Sequence, residues 1–96
     1  MALEDDFKTA QNEAQSFTAR PSTTELLELY SLFKQATLGD AQGTRPGIFD
    51  LKGRAKYDAW SARRGTSKEA AMARYVALVA ELGGRYGRAA GSQDSR

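Results

Sequence analysis

The chain contains almost no residues suited to a β-sheet. Its 96 residues include two valines and one isoleucine, whereas alanine occurs sixteen times. β-branched and aromatic side chains pack well on a pleated surface, so a sheet with so few β-branched apolar residues would be poorly filled. Apolar residues instead recur every three or four positions in four separate segments, as they do in amphipathic helices. The sequence therefore predicts an all-α fold.

A proline separates the first two of these segments. The first apolar stripe consists of Leu3, Phe7, Ala10, Ala14 and Phe17. We expect this helix to end near Arg20, because the residue before Pro21 is disfavoured in the α region. Ser22 and Glu25 have the spacing of a capping box, which marks the start of a second helix, and Gly39 is placed to end it. The apolar face of the second helix comprises Leu26, Leu29, Tyr30, Phe33 and Thr37.

Residues 39–50 form a long connection rich in glycine and proline. We expect a loop that can cross one end of a helix bundle. A third helix is predicted from about Leu51 to Arg64, with Gly65 as its αL cap. A capping box from Thr66 to Glu69 starts the fourth helix. The apolar positions of that helix are Met72, Tyr75, Val76, Val79, Leu82 and Tyr86.

The end of the fourth helix is less regular in sequence. Gly83 and Gly84 each cost about 1 kcal/mol relative to alanine inside a helix, so we expect fraying after Leu82. Residues 89–96 show no periodicity and are predicted to be a disordered tail. The expected organisation is one domain over residues 1–88, followed by that tail.

The chain has no cysteine and no histidine. This excludes disulfides, thiol nucleophiles, Cys/His zinc sites and catalytic groups built on histidine. No pair of carboxylates stands out as an acid and a base, since Asp50 is explained as the N-cap of the third helix. We therefore expect no catalytic residues and no metal site. The first seventeen residues contain no apolar run long enough for a signal peptide or a membrane span, which favours a cytoplasmic protein.

Charge is divided unevenly along the chain. Residues 1–40 contain seven acids and three bases, whereas residues 41–88 contain ten bases and four acids. The basic half suggests an anionic partner, and nucleic acid, a membrane surface and a phosphorylated small molecule all fit it. An ordinary solvated basic face is the alternative.

Groups able to bind a phosphate recur in the last three predicted helices: Tyr30 with Lys34, Lys52 with Lys56, and Tyr75. Each Tyr/Lys or Lys/Lys pair is one helical turn apart, and a phenol is protonated near neutral pH. If the helices converge, these groups surround one point beside the ring of Phe33. Cations and phenols suit a phosphate monoester and an aromatic face suits a nucleobase, so the combination indicates a nucleotide. The alternative is that the aromatic residues belong to the core and the lysines to the surface.

Three blocks of sequence resemble the acyl-CoA-binding protein family. They are YSLFKQATLGD at 30–40, RPGIFDLKGRAKYDAW at 45–60 and GTSKEAAMARY at 65–75. Their order and separation extend the resemblance from about Leu3 to Tyr86. The resemblance implies a four-helix up-down-down-up bundle that binds long-chain fatty acyl-CoA thioesters without transforming them. It further implies an intracellular carrier that maintains a pool of the ligand.

The resemblance also implies ligand-binding roles by position. The adenosine 3′-phosphate is assigned to Tyr30, Lys34, Lys56 and Tyr75. Phe33 is expected to pack on the adenine, and Lys52 to lie beside the CoA phosphates. The acyl chain is expected near Pro21, Leu26, Leu27 and Ala55. The expected ligand-binding set is completed by Gln15, Ser31 and Leu32.

Five positions depart from the family pattern. Gln15 stands where a lysine is frequent, which weakens one phosphate contact to a neutral hydrogen bond. Phe33 replaces a common tyrosine, so stacking is retained and a hydroxyl contact is lost. Tyr57 replaces a frequent tryptophan, and the pair Gly83-Gly84 replaces a lysine-rich stretch.

The expected partner is the acyl-CoA ligand, bound by a monomer without a cofactor, without nucleic acid and without stable insertion into a membrane. The alternative from another functional class is a helical interaction module that uses its basic half to contact an anionic partner. Salt dependence separates the two, because contacts to many nucleic-acid phosphates make affinity fall steeply with added salt. A single CoA site predicts a shallower salt dependence and a strong preference for long acyl chains.

Overall fold

The computed structural model describes residues 2–88, most of which lie in four helices. The helices are α1 (Ala2–Ala14), α2 (Thr23–Leu38), α3 (Leu51–Ser61) and α4 (Lys68–Tyr86). No sheet forms in this part of the chain, and its isolated extended pairing is a bridge between Phe17 and Arg88. The all-α four-helix fold predicted from the sequence is confirmed. The predicted tail at 89–96 lies outside the described residues.

Helix α4 lies at the centre of the bundle. It packs against both α1 and α2, and α2 packs in turn against α3. Buried side chains from α1, α2 and α4 form the core: Phe7, Ala10, Leu29, Leu32, Ala36, Ala71, Tyr75, Val79 and Leu82. Helix α3 itself buries a single residue, Trp60. Much of the α3 surface is therefore available for contacts with solvent or a ligand.

Helix α2 begins and ends as predicted. The Ser22 hydroxyl accepts from the Glu25 amide at 3.1 Å, and the Glu25 carboxylate accepts from the Ser22 amide at 2.8 Å. Gly39 follows the helix with a φ of +82°. The predicted apolar face was incomplete, because Leu32 is buried and Thr37 is exposed. Since α2 packs against helices on two sides, a single apolar stripe does not describe it.

Two helices end earlier than predicted. The stripe on α1 continues to Phe17, but the helix stops at Ala14, and the Ser16 amide and hydroxyl both bond to the Glu13 carbonyl. Such local side-chain bonding competes with helix continuation. Helix α3 stops at Ser61 rather than Arg64, and tight turns follow it. Gly65, with a φ of +92°, therefore belongs to those turns and does not cap the helix.

Both ends of α4 also correct the sequence prediction. The N-cap is Ser67, whose hydroxyl accepts from the Ala70 amide at 3.0 Å, so the predicted capping box one residue earlier is wrong. The predicted fraying after Leu82 is wrong as well, since the helix continues to Tyr86. Thr18 stabilises this end, because its hydroxyl donates to the Tyr86 carbonyl at 2.7 Å and its amide donates to the Gly87 carbonyl.

The long loop between α2 and α3 is fastened to α3 along its length. Three side-chain contacts hold it: Trp60 Nε1 to the Gly39 carbonyl (2.8 Å), the Tyr57 hydroxyl to the Gly43 carbonyl (3.1 Å), and the Arg45 guanidinium to the Asp58 carboxylate (2.8 and 2.9 Å). The loop is thus an ordered segment that places the start of α3.

A buried glutamine joins the end of α2 to the connection between α3 and α4. Gln35 Nε2 donates to Asp40 at 2.9 Å and to the Thr66 carbonyl at 2.7 Å. The Gly65 amide donates to the same Asp40 oxygen at 2.9 Å. The Gly65 amide first, and the Gln35 amide second, lower the pKa of Asp40. This network fixes how α3 is positioned against α2.

Candidate ligand-binding site

An open cleft of about 300 Å³ lies between α2 and α3. Its walls are formed by Arg20, Thr23, Leu26, Leu27, Tyr30, Lys52, Ala55 and Lys56. The α2 residues recur at intervals of three, one and three, so they share one face of that helix. Lys52 and Lys56 lie one turn apart on α3, with Ala55 between them. The small side chain of Ala55 leaves room between the helices.

The cleft combines two kinds of surface. Leu26, Leu27 and Ala55 supply an apolar wall, whereas Arg20, Lys52 and Lys56 supply cations. Such a lining can shield a hydrocarbon segment and hold an anionic group in the same molecule. Of the five residues predicted to converge, Tyr30, Lys52 and Lys56 line this cleft, whereas Lys34 and Tyr75 do not.

Two lysines lie against the ring of Tyr30. Lys56 Nζ is 5.4 Å from the ring centroid and Lys34 Nζ is 5.9 Å from it. Lys34 Nζ also lies 5.0 Å from the ring of Trp60. These distances are within the range of cation–π attraction, which partly offsets the repulsion between neighbouring cations. We call Tyr30, Lys34, Lys56 and Trp60 the Tyr30 cluster.

The lysines near the cleft form no ion pairs among residues 2–88. Neither Lys34 nor Lys56 has a carboxylate within salt-bridge distance, and the same is true of Lys52. Other basic groups do have such partners, for example Arg45 with Asp58 at 2.8 Å. Cations without a protein counter-ion can direct their hydrogen bonds to an anionic ligand.

Phe33 and Tyr75 lie in an aromatic layer that reaches from α1 to α4. Phe33 stacks on Phe7 with ring centroids 6.2 Å apart, and Tyr75 meets Phe7 edge-on at 5.1 Å. Phe33 is partly exposed, so part of its side chain is accessible from solvent. Tyr75 is 6% exposed, and burial raises the pKa of its phenol. The Tyr75 hydroxyl therefore stays protonated, and it bonds to no other described residue.

Six residues of the expected ligand-binding set do not line the cleft: Lys34, Phe33 and Tyr75, whose positions are given above, and Leu32, Ser31 and Gln15. Leu32 is 1% exposed and belongs to the core. Ser31 is equally buried, and its hydroxyl donates to the Glu28 carbonyl and accepts from Arg63 Nε at 3.1 Å. Gln15 is exposed in the turn after α1. Leu32, Ser31 and Gln15 are thus absent from the lining of the cleft, and their ligand contacts stay predictions.

Sequence reasoning missed two residues of this region. Trp60 was not among the expected ligand-binding residues, yet its ring lies beside Lys34. Arg20 was read as the end of a helix, yet it lines the cleft between α2 and α3. Both contacts join residues that are distant in sequence, so no local spacing could reveal them.

The described residues contain no group of acidic side chains arranged to hold a metal ion. In the same part of the chain no helix is both long and apolar enough to cross a membrane. The site is thus a cleft with aromatic and cationic walls.

Comparisons with known proteins point to one family. Residues 4–79 match the sequence profile of the family described as Acyl CoA binding protein. An acyl-CoA-binding protein homolog of Drosophila melanogaster is 44% identical over 84 residues, which are 88% of this chain and 98% of the relative. Acyl-CoA-binding protein homolog 1 of Caenorhabditis elegans is 48% identical over 81 residues, which are 84% of this chain and 94% of the relative.

Solved structures give the same result. The crystal structure of Acyl-CoA-Binding Protein 2 from Oryza sativa superposes with a TM-score of 0.85 at 44% identity, over 88% of this chain and 92% of that one. The crystal structure of the acyl-CoA-binding protein (ACBP) from Moniliophthora perniciosa superposes with a TM-score of 0.81 at 39% identity, over 86% of this chain and 82% of that one.

Proposed function

Because the chain belongs to the acyl-CoA-binding protein family, we propose that it binds long-chain fatty acyl-CoA thioesters in the cleft between α2 and α3. The observation that carries this assignment is the pairing of an apolar wall with unpaired lysines in one cleft. The family match also favours this carrier over an interaction module built on the basic half of the chain.

The Tyr30 cluster is proposed to hold the adenosine 3′-phosphate. Lys34 and Lys56 lie beside the same ring and lack carboxylate partners within residues 2–88. A dianionic phosphate would accept hydrogen bonds from both ammonium groups and from the Tyr30 hydroxyl. Tyr75 would add a neutral donor, since its phenol is protonated and without a partner in the described chain.

The adenine is proposed to stack on Phe33. One side of the Phe33 ring packs on Phe7, which fixes the plane of the ring. A base stacked on a fixed aromatic ring gains about 1–3 kcal/mol. Lys52, on the wall of the same cleft, is proposed to lie beside the remaining CoA phosphates.

The acyl chain is proposed to follow Leu26, Leu27 and Ala55. Burying one methylene is worth about 0.8 kcal/mol, so half-shielding a chain of fourteen methylenes contributes roughly 5 kcal/mol. The head group then sets the position of the ligand, and the tail supplies much of the affinity. Free CoA and free palmitate each lack one of these parts, so both should bind much more weakly than the ester.

We further propose that the protein carries its ligand without chemical change, as a cytoplasmic monomer. The cleft is lined by an arginine, two lysines, a tyrosine, a threonine and hydrocarbon, and this lining contains no carboxylate or imidazole that could act as a general base for a hydroxyl nucleophile. Incubation with palmitoyl-CoA should release no free thiol above the rate of spontaneous hydrolysis. Sedimentation equilibrium should give the mass of one chain both with and without ligand.

Isothermal titration calorimetry tests the binding proposal directly. The protein, stripped of lipid, is titrated with palmitoyl-CoA below its micelle concentration, and in parallel with CoA and with palmitate. We expect tight one-to-one binding of the ester alone. Equal binding of palmitate and palmitoyl-CoA would contradict a site that recognises the head group, and no binding of the ester would contradict the function itself.

A further inference from the structure

Three large apolar side chains stand in solvent where the long loop enters α3. Ile48 is 64% exposed, Phe49 is 96% exposed and Leu51 is 75% exposed. Single exposed apolar residues are common on protein surfaces, but several adjacent ones mark a site of interaction. We call Ile48, Phe49 and Leu51 the loop patch.

A hydrogen-bonded turn forces the first two of these side chains outward. The Asp50 amide donates to the Gly47 carbonyl at 3.0 Å, so Ile48 and Phe49 occupy the two central positions of the turn. Glycine, proline, asparagine and aspartate are the usual residues at such positions. An isoleucine and a phenylalanine there contradict the local preference, and contradictions of this kind concentrate at functional sites.

The turn is held firmly against the start of α3. Asp50 caps the helix by accepting from the Gly53 amide at 3.0 Å. A Cβ atom at position 53 would lie 2.3 Å from Asp50 Oδ2, so glycine is what allows this close approach. The loop patch is therefore preformed, and a partner that binds it need not order a mobile segment.

Cations lie directly beside the loop patch. Lys52 follows Leu51 on α3 and Lys56 lies one turn further on, and both line the cleft. Neither forms an ion pair within residues 2–88. The single carboxylate inside the segment, that of Asp50, is engaged at the helix start. An anionic bilayer surface binds this combination of groups. Apolar side chains insert among the lipid acyl chains, and unpaired lysines are attracted to the anionic headgroups.

We propose that the loop patch docks this protein on anionic lipid membranes. Docking is shallow and reversible, with Ile48 and Phe49 in the headgroup boundary and Lys52 beside anionic headgroups. Contact at this position places the opening of the cleft next to the bilayer, where amphipathic ligands reside. This interaction goes beyond ligand binding, and the vesicle measurement that tests it uses no acyl-CoA.

Vesicle sedimentation provides the first test. The whole chain, free of ligand, is mixed with vesicles of phosphatidylcholine alone or with about 30 mol% phosphatidylserine, at about 0.1 M salt. We expect binding to the anionic vesicles and a loss of about tenfold or more in the double variant Ile48→Ser/Phe49→Ser. Circular dichroism and palmitoyl-CoA titration of this variant should match those of the parent chain, which separates docking from folding and from ligand binding.

The matched control is Leu38→Ser, which removes an apolar side chain of similar size that is 48% exposed. Leu38 is far from the loop patch. It precedes Gly39, whose carbonyl accepts a hydrogen bond from Trp60 near the end of α3. Trp60 lies nine residues, or about 13 Å, along the helix from Leu51. Vesicle binding by this variant should stay within about twofold of the parent. An equal loss in both variants would overturn the proposal, since hydrophobicity in general would then be responsible.

The absence of cysteine permits a second measurement. Phe49→Cys and Leu38→Cys can each be labelled with a dye whose emission shifts to the blue in an apolar medium. We expect a shift on anionic vesicles at position 49 and none at position 38. No vesicle binding, or no shift at position 49, would overturn the proposal. Self-association of the parent chain that Ile48→Ser/Phe49→Ser abolishes would likewise overturn it, by assigning the loop patch to a second copy.

Discussion

Two polar clusters on α2 differ in how completely the protein satisfies them. At the start of the helix Glu25 accepts from the Ser22 amide, from Tyr86 and from Arg85. In the Tyr30 cluster, one to two turns further along, Lys34 and Lys56 contact aromatic rings and have no carboxylate partner in the described chain. We call the first group, Ser22, Glu25, Arg85 and Tyr86, the Glu25 cluster.

The difference separates the residues that hold the fold from those that hold a ligand. Polar groups whose hydrogen bonds are all made inside the protein stabilise one arrangement of the chain. Cations whose bonds are not made inside the protein can make them with an anion at little structural cost. Substitutions in the Glu25 cluster should therefore change stability, and substitutions of the two lysines in the Tyr30 cluster should change affinity.

The largest expected effect is on affinity, from Lys34→Ala or Lys56→Ala. A hydrogen bond to a charged group contributes about 1.5–3 kcal/mol, so each variant should bind palmitoyl-CoA about 10–150-fold more weakly. Calorimetry measures the affinity, and the helical circular dichroism signal should stay unchanged. The matched control is Lys8→Ala on α1, where the side chain is exposed. If Lys56→Ala bound as tightly as this control, the placement of the 3′-phosphate would be wrong.

A pair of tyrosines tests the same contrast by removing one hydroxyl at a time. Tyr75→Phe removes a phenol with no partner among residues 2–88, so ligand affinity should fall about fivefold with little change in Tm. Tyr86→Phe removes the donor to Glu25, so Tm should fall and affinity should be retained. Thermal unfolding and calorimetry on both variants measure the two responses. The opposite assignment of effects would reverse our division between the clusters.

Stability below neutral pH should depend on Glu25. The Tyr86 hydroxyl first, and the Ser22 amide second, lower the pKa of Glu25 from 4.5 to about 2. Because the pKa is depressed in the folded state, the stabilisation is complete above about pH 4.5 and is lost as the pH falls towards 2. Thermal unfolding of the parent and of Glu25→Gln, followed from pH 7 to pH 2, should show a gap in Tm that narrows over this window. A gap that stayed constant would exclude this linkage.

The smallest expected effect comes from Gln15→Lys. This exposed position carries a glutamine where family members frequently have a lysine, and an added surface charge is worth about 0.2–1 kcal/mol near an anion. Affinity for palmitoyl-CoA should rise about two- to fivefold at low salt, and the gain should shrink as salt is added. Lysine at Asn12, which is also exposed near the end of α1, is the matched control. An equal gain in affinity from Asn12→Lys would show that the net charge of the protein, and not a contact made at position 15, is responsible.

The sequence predicted the fold well where local chemistry decides it. The capping box at Ser22 and the stop at Gly39 both depend on neighbouring residues, and both are confirmed. The end of α4 could not be predicted, because the contacts of Tyr86 with Thr18 and Glu25 join residues more than sixty positions apart. Helix propensity alone favours fraying at Gly83, and these distant bonds outweigh it.

The site was predictable to the level of its main residues. The spacing of Tyr30 with Lys34, and of Lys52 with Lys56, indicated cations on shared faces, and the fold brings Tyr30 and Lys56 together across two helices. The contact of Trp60 with Lys34 depends on how α2 and α3 cross, and residue spacing within one helix does not reveal that crossing. The loop patch was also missed, because an Ile-Phe pair in the sequence does not indicate that a hydrogen-bonded turn will expose both side chains to solvent.

The central place of α4 also has a consequence for the time at which the chain can fold. α1 packs mainly on α4 and meets α2 through the stacking of Phe7 on Phe33, so most of its contacts join segments separated by α2 and α3. At about 5–20 residues per second, ribosomes add the residues between Ala14 and Tyr86 in about 4–15 seconds. Until α4 packs on them, Phe7, Leu29 and Leu32 are exposed to solvent. During that interval the nascent chain can bind chaperones or aggregate. Synthesis of the last helix, rather than the pairing of the first ones, therefore sets when this protein becomes native.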